Sequence, residues 1–236
     1  MGIMNYFEPC KYSIRLIGKL KSLDTHNVLD FELINKAVYW VRKYHADQKR
    51  KSGELYYTHP LEVAYIISDY NLKTDVIVAS ILHDIVEDTE VTVEMIHGSF
   101  GQRIAEMVDR LTRDRPDGTK LSVEDILNNS YQEKDREVLL IKLFDRLHNM
   151  QTLGVKSPEK IKKIADETLL IFIALAIYLE VVEIKQKLSE LCIKEIFTQQ
   201  GLIPPVIQNT FSFVNSRLSF PQDFQNEIEQ IYKLKE

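Results

Sequence analysis

Val76-Ile77-Val78-Ala79-Ser80-Ile81-Leu82-His83-Asp84-Ile85-Val86-Glu87-Asp88 is the stretch whose reading decides the fold. Seven residues of a buried-helix type, Val76 to Leu82, lead straight into one imidazole and three carboxylates. Burying such groups without partners is costly, so they are normally paired, metal-bound or at the mouth of a cleft. His83 and Glu87 are four residues apart, as are Asp84 and Asp88. On one continuous helix each pair stacks along a stripe, and the turn presents two neighbouring stripes of ligand-type groups. His83 and Asp84 can then reach one ion lying over the helix edge.

Outward from this motif the chain reads as helices. Asp30 is a good N-cap for Phe31, Ile34, Ala37, Val38 and Val41, which recur at helical spacing up to about His45. Leu16, Ile17, Leu20 and Leu23 predict a short amphipathic helix before it. Pro60 suits the first turn of a helix, and Thr74 is expected to cap the motif helix. Thr92 and Phe100-Gly101 mark further starts, as does Ser122, whose helix has an acidic first turn. A helix is expected from about Lys134 to Met150, and Ser157-Pro158-Glu159 opens another. Asp166 to about Phe197 reads as helix with one bend, or as two helices. Gly and Pro are sparse, at 8 and 7, and no strand alternation or fixed-period repeat is found. The expected fold class is all-α.

Composition narrows the function classes. A net charge of -5 argues against a general nucleic-acid binder. Cys10 and Cys192 form neither a metal-type spacing nor a disulfide framework, which points to a reducing, cytoplasmic setting. The N-terminus lacks a basic region followed by an apolar core, so no signal peptide is expected. Leu169 to Leu179 is the longest apolar run; its 11 residues are too few to span a bilayer, so no membrane is expected.

The motif needs further ligands. His59 and Asp145 are the candidates: His59 follows the basic loop Gln48 to Gly53, and Asp145 interrupts an apolar helix. A shell of imidazole and carboxylate suits Mn²⁺, Fe²⁺ or Zn²⁺. Lys142, Asp145 and Asn149 share a helix face, where Lys142 meets either a phosphate or a carboxylate. His148 reads as structural, and His26, His45 and His97 as surface or packing residues. Trp40 and Tyr44, four apart, read as core.

His59, His83-Asp84 and Asp145 resemble the H…HD…D pattern of HD-domain metal-dependent phosphohydrolases. The blocks Arg50-Lys51-Ser52-Gly53-Glu54, His59-Pro60, Leu82 to Thr89 and Arg146-Leu147-His148-Asn149-Met150 resemble more closely the hydrolase domain of the RelA/SpoT homologues. Phe100-Gly101 and Glu167-Thr168-Leu169 also fit. The resemblance covers roughly residues 30–197. It implies an HD-domain multi-helix bundle with a metal site between helices. It implies hydrolysis of guanosine 3′,5′-bis(diphosphate), (p)ppGpp, to GDP or GTP and pyrophosphate with Mn²⁺, ending the stringent response.

By motif position, His59, His83, Asp84 and Asp145 would be metal ligands, and Glu87 and Asp88 catalytic carboxylates that position or deprotonate the attacking water. Arg50, Lys51 and Ser52 would line the guanine and phosphate pocket, with Asn149 at the ribose and Thr152 nearby. Lys49-Arg50-Lys51 also supplies the local positive charge that an acidic chain needs to hold an anionic nucleotide, and the planar Arg50 guanidinium could stack on a base.

The division expected is a helical extension over 1–29, the hydrolase domain over 30–197 and a helical tail over 198–236. The synthetase domain of bifunctional members is not seen after Phe197, so synthesis is not expected. Gln151, Phe144, the segment Phe172 to Glu180 and the loop from Arg113 to Lys134 depart from the pattern. Gln151 replaces a usual Arg, and Phe144 a usual small alanine. Phe172 to Glu180 replaces a segment that usually reads Tyr-Ala-Pro-Leu-Ala-His-Arg-Leu-Gly, so a straighter helix is expected there. Two other readings stand beside the leading one: an HD phosphohydrolase for another nucleotide, and a catalytically decayed alarmone-binding protein.

Overall fold

The computed structural model describes residues 8–114, 118–153 and 156–199, with side chains as far as Glu195. The described residues contain helices and no strand; two isolated bridges pair Lys49 with Leu55 and Asp114 with Lys120. The expectation of an all-α chain holds. Residues 1–7 of the expected extension and residues 200–236 of the expected tail lie outside the described residues. No described helix is long and apolar enough to cross a membrane.

Two compact units divide at Asp145/Arg146. The first holds α1 (Lys11–Leu23), α2 (Phe31–His45), α3 (Thr58–Ile67), α4 (Thr74–Leu82), α5 (Ile85–Asp88), α6 (Val93–Phe100), α7 (Gln102–Leu111) and α8 (Val123–Gln132). Helix α9 (Arg136–Gln151) runs through the division. The second unit holds α10 (Pro158–Glu167), a π-helical turn over Thr168–Phe172, α11 (Ile173–Tyr178) and α12 (Val182–Gln199).

Helix α4 is the centre of the first unit and packs against α2, α3 and α7. Every residue from Val76 to Leu82 is 0% exposed. A helix apolar on all faces must be enclosed, and each fully buried Val, Ile or Leu contributes about 1.5–3 kcal/mol. Ser80 is tolerated because its hydroxyl donates to the Val76 carbonyl at 2.7 Å.

The helix starts follow from their caps. Asp30 Oδ1 accepts from Leu33 N at 2.9 Å, Thr92 Oγ1 from Met95 N at 3.3 Å, and Ser122 Oγ from Asp125 N at 3.0 Å within a capping box. Cys10 and Ser13 form another box at the start of α1. Thr74 departs from expectation. It is the first residue of α4 rather than its cap, and its hydroxyl accepts from Asp30 N at 2.9 Å, tying α4 to the start of α2. Trp40 packs edge-on against Phe100 and Tyr44, at 5.0 and 5.2 Å between ring centroids.

The straighter helix expected over Phe172 to Glu180 is not found. A π turn precedes α11, and the chain turns again at Glu180, which takes φ 62°. Val181 N donates to Ala176 O and Glu180 N to Ile177 O, both at 2.9 Å. This is the Schellman closure, which normally ends on glycine. Losing the usual glycine leaves the closure intact and puts a glutamate in the left-handed region.

Candidate metal centre

Three helices deliver the candidate ligands. Helix α3 carries His59 at its second position; its start is held by Thr58 Oγ1 donating to Leu55 O at 2.8 Å. Helix α4 ends at Leu82 and releases His83 and Asp84, and α9 carries Asp145. The continuous motif helix expected from the spacing is therefore corrected. His83 and Asp84 form a turn between α4 and the four-residue α5. Asp88 N still donates to Asp84 O at 3.1 Å, so Asp88 stays one turn beyond Asp84.

The donor atoms converge. His59 Nε2 lies 3.4 Å from Asp84 Oδ2 and 3.2 Å from Asp145 Oδ1. His83 Nε2 lies 3.0 Å from Asp84 Oδ1 and 3.7 Å from Asp145 Oδ1. Ligand atoms of His59, His83 and Asp145, all three buried, lie within 4.8 Å of one another. Ligands about 2.1 Å from a shared ion sit about 3.0–3.4 Å apart, and most of these separations fall in or near that range.

The tautomer also fits. His83 Nδ1 lies 2.8 Å from the Ser80 carbonyl, to which it must donate. That fixes the ring and turns Nε2 toward the carboxylates. Buried Nε2 makes no hydrogen bond, although Asp84 Oδ1 is 3.0 Å away. A buried ring nitrogen close to a carboxylate oxygen without a hydrogen bond is what a ligand aimed at a shared ion shows. The residues present therefore suit a divalent ion.

Charge is concentrated here. Burial opposes a charged His83, but Asp84 and Asp145 outweigh it and push the imidazole up to about 10. Asp84 moves the other way: burial opposes its ionisation, and His83 and His59 hold it well below the usual carboxylate range. Asp145 is likewise held low against burial, by Lys142 first and then by the two histidines. Lys142 Nζ is 3.3 Å from Asp145 Oδ2, so of the two roles open to it the ion pair with a carboxylate is realised.

Glu87 and Asp88 contrast with this group. Burial raises both pKa values. Glu87 Oε1 accepts the Arg113 backbone N–H, which partly offsets its burial. The Tyr56 hydroxyl and the His45 side chain offset that of Asp88.

The basic loop is a tight turn before α3. Arg50 N donates to Glu54 O at 2.8 Å, Gly53 N to Arg50 O at 2.9 Å, and Ser52 Oγ to Glu54 Oε2 at 3.4 Å. Gly53 takes φ 89°, which accounts for a glycine there. Lys51 and Ser52 are exposed and Arg50 is partly buried. Asn149 and Thr152 belong to the second unit, where the Thr152 hydroxyl donates to His148 O at 3.1 Å. His148 is buried in α9, while His26 and His97 are exposed.

Sequence reasoning passed over Ser80, Tyr56, Gln48 and Arg113. Tyr56 stands three residues before His59, as Ser80 does before His83. Polar groups just upstream of ligands are a usable signal. Arg113 reaches Glu87 through its backbone, which no side-chain pattern reveals.

The HD domain model matches residues 37–125 and 130–182. The guanosine-3′,5′-bis(diphosphate) 3′-pyrophosphohydrolase of Aquifex aeolicus is 36% identical over 193 residues, covering 79% of this chain and 27% of that protein. A GTP pyrophosphokinase of Brucella ovis is 38% identical over 176 residues, covering 70% and 22%. A probable pyrophosphohydrolase of the same kind from Synechocystis is 39% identical over 167 residues, covering 69% and 22%. The chain thus spans about a quarter of the length of these curated relatives. A solved structure described as a metazoan ortholog of SpoT that hydrolyzes ppGpp superposes with a TM-score of 0.54 at 23% identity, over 72% of this chain and 97% of that one, which supports the fold. With its histidines and aspartates converging from α3, α4 and α9 and the family model matching most of its length, the chain belongs to the HD-domain family.

Proposed function

We propose that the chain is a metal-dependent (p)ppGpp 3′-pyrophosphohydrolase, releasing pyrophosphate and leaving GDP or GTP. The convergence of His59, His83, Asp84 and Asp145 beside Glu87 and Asp88 carries the reading. The similarity to the pyrophosphohydrolases of Aquifex and Synechocystis supports the substrate class. Residues 30–197 form the hydrolase domain in this reading, with 1–29 a helical extension and 198–236 a helical tail; the matched segments fall within 30–197.

His59, His83, Asp84 and Asp145 would hold one Mn²⁺. When bound, the ion supplies Lewis-acid chemistry, acidifying water and polarising a phosphoryl oxygen. The rest falls to the chain. Glu87, with its pKa raised by burial, accepts a proton from the attacking water, and Asp88 orients that water. Phosphoryl transfer depends mainly on positioning and charge neutralisation. Arg50 and Lys51 supply positive charge for the phosphates and Arg50 a plane for guanine, with Ser52 as a hydroxyl donor. Asn149 contacts the ribose, with Thr152 beside it. Asp145 is oriented by Lys142, which takes Oδ2 and leaves Oδ1 toward the histidines.

The test is release of pyrophosphate from ppGpp by the purified chain with and without Mn²⁺. Turnover that requires Mn²⁺ and disappears in Asp84→Ala is expected. An Asp84→Ala chain that still releases pyrophosphate without metal overturns the reading. Equal or faster hydrolysis of deoxynucleoside triphosphates, cyclic nucleotides or NADPH overturns the substrate. Tight ppGpp binding without turnover in Mn²⁺ overturns the enzyme assignment.

A further inference from the structure

A polar network behind the metal centre has no part in the ligand set. The Tyr56 hydroxyl donates to Asp84 Oδ2 at 3.4 Å. One phenol thus touches a candidate metal ligand. Its ring is held on one side by His45, stacked at 4.7 Å between centroids with 21° between planes, and edge-on by His59 at 6.5 Å. Its backbone is held too, since Tyr56 N donates to Gln48 O at 2.8 Å.

Gln48 closes the network from the other end. Its Nε2 donates to the Asp88 carbonyl at 2.9 Å, and its Oε1 lies 2.9 Å from His45 Nδ1. An amide donates only through nitrogen and accepts only through oxygen. Both contacts are satisfied together when His45 carries its proton on Nδ1. The fully buried His45 is thus tied through Gln48 to the backbone of Asp88 and through stacking to the Tyr56 ring. Asp84 and Asp88 sit at the two ends of a short helical segment, which Tyr56 meets at the Asp84 carboxylate and Gln48 at the Asp88 carbonyl.

We infer that Tyr56 is a positioning residue that sets the orientation of Asp84, while Gln48 fixes Asp88 through its backbone. The inference rests on the catalytic reading of Asp88 but adds residues and a division of labour that the reading does not contain. Partners of metal-bound carboxylates orient them toward the ion, and their loss typically weakens metal binding by about 10–100-fold. Tyr56 is suited to this because its hydroxyl donates to Asp84 from a ring held in place by the His45 stack.

The experiment uses the full chain, with Mn²⁺ itself as the probe. Tyr56→Phe keeps the ring stack and removes only the hydroxyl. Its Mn²⁺ Kd by titration calorimetry is expected to rise about tenfold, with the metal-free unfolding midpoint unchanged. Turnover of ppGpp at saturating Mn²⁺ is expected to show kcat lowered about tenfold and KM within about twofold of the parent. Gln48→Ala is the second variant: it should lower kcat and leave the Mn²⁺ Kd unchanged. A Tyr56→Phe chain that binds Mn²⁺ as the parent does overturns the inference. So does a Gln48→Ala chain that loses Mn²⁺ affinity as Tyr56→Phe does, because the network would then be general scaffolding. The two levels separate cleanly: a parent chain that binds Mn²⁺ and releases no pyrophosphate defeats the substrate reading, while the Mn²⁺ affinities still decide the role of Tyr56.

Discussion

Around Asp135, guanidiniums close on carboxylates; around Asp145, imidazoles and carboxylates converge on one another. Both clusters lie in the first unit and both are built on α9 or the residue before it. Asp135 accepts from Arg103 through both oxygens, at 2.7 and 2.9 Å, from Arg110 at 3.3 Å and from Val138 N at 3.3 Å, while Glu137 accepts from Arg103 at 2.8 Å. Each charge there meets its opposite at hydrogen-bond geometry. In the other cluster His83 Nε2 has a carboxylate oxygen 3.0 Å away and no hydrogen bond, and His59 Nε2 faces two aspartates. A cluster with complete bonding holds the fold, whereas a buried imidazole nitrogen left without a hydrogen bond beside a carboxylate fits a metal ligand.

The widest separation between the clusters is in turnover. Asp84→Ala should cut pyrophosphate release by about 10³-fold or more, since the Lewis-acid contribution goes with the ligand set. Asp135→Asn, once folded, should turn over like the parent. Metal removal sharpens the same contrast. At 100-fold excess over Kd, Mn²⁺ should stabilise the parent by about 2.7 kcal/mol. A chelator should abolish that gain, and Asp84→Ala should show none of it in thermal unfolding. Equal stabilisation of both chains by Mn²⁺ would place the ion elsewhere.

Glu87→Gln comes next. The amide keeps an acceptor for the Arg113 N–H but cannot take a proton. A loss of about 10²–10⁴-fold in kcat is expected for a missing general base, with the Mn²⁺ Kd unchanged by calorimetry. A matching loss of Mn²⁺ affinity would move Glu87 into the ligand set and erase the division between His83-Asp84 and Glu87-Asp88.

How far the clusters could be read from the sequence follows from the range of the interactions involved. His59, His83, Asp84 and Asp145 were legible because ligand types recur in a known order, and α4 because seven consecutive buried residues leave few alternatives to an enclosed helix. The break at His83-Asp84 was not legible: local periodicity fits a continuous helix, and the turn becomes visible only where Ser80 O accepts from His83 Nδ1. Thr74 read as a cap because Thr commonly is one, yet its partner is Asp30, 44 residues away. Glu180 read as helix-forming, while the Schellman closure around it is set by backbone bonds that tolerate the residue. Phe144 needed no guesswork once placed: it is 0% exposed and its ring packs 4.9 Å from that of Tyr70. The Arg103–Asp135–Arg110 cluster left no trace in the pattern, since its partners come from α7 and from just before α9.

Stability gives the finer separation. Asp135→Asn should cost about 1 kcal/mol in urea unfolding, because the half-exposed Arg103 loses the charge of its buried partner, and that cost should be absent from the activity of the folded chain. The pH dependence has opposite signs for Asp135 and His83. Burial opposes ionised Asp135, but Arg103 and Val138 N hold its pKa below the ordinary value of 3.8. Its contribution is therefore complete above that value and is lost as pH falls through the lower folded one. In the chelated chain His83 runs the other way, raised from 6.5 to about 10. Its contribution is complete below 6.5 and drains away as pH rises toward 10. Unfolding of the metal-free chain should thus weaken at both ends of the scale. Asp135→Asn should reduce the acid limb and leave the alkaline one, whereas His83→Gln should reduce the alkaline limb. Mn²⁺ should also flatten the alkaline limb, because an ion on Nε2 takes the place of the proton whose loss produces it. An alkaline limb unchanged by both Mn²⁺ and His83→Gln would show that the imidazole is held by the carboxylates in a different way from the convergence described for His83, Asp84 and Asp145.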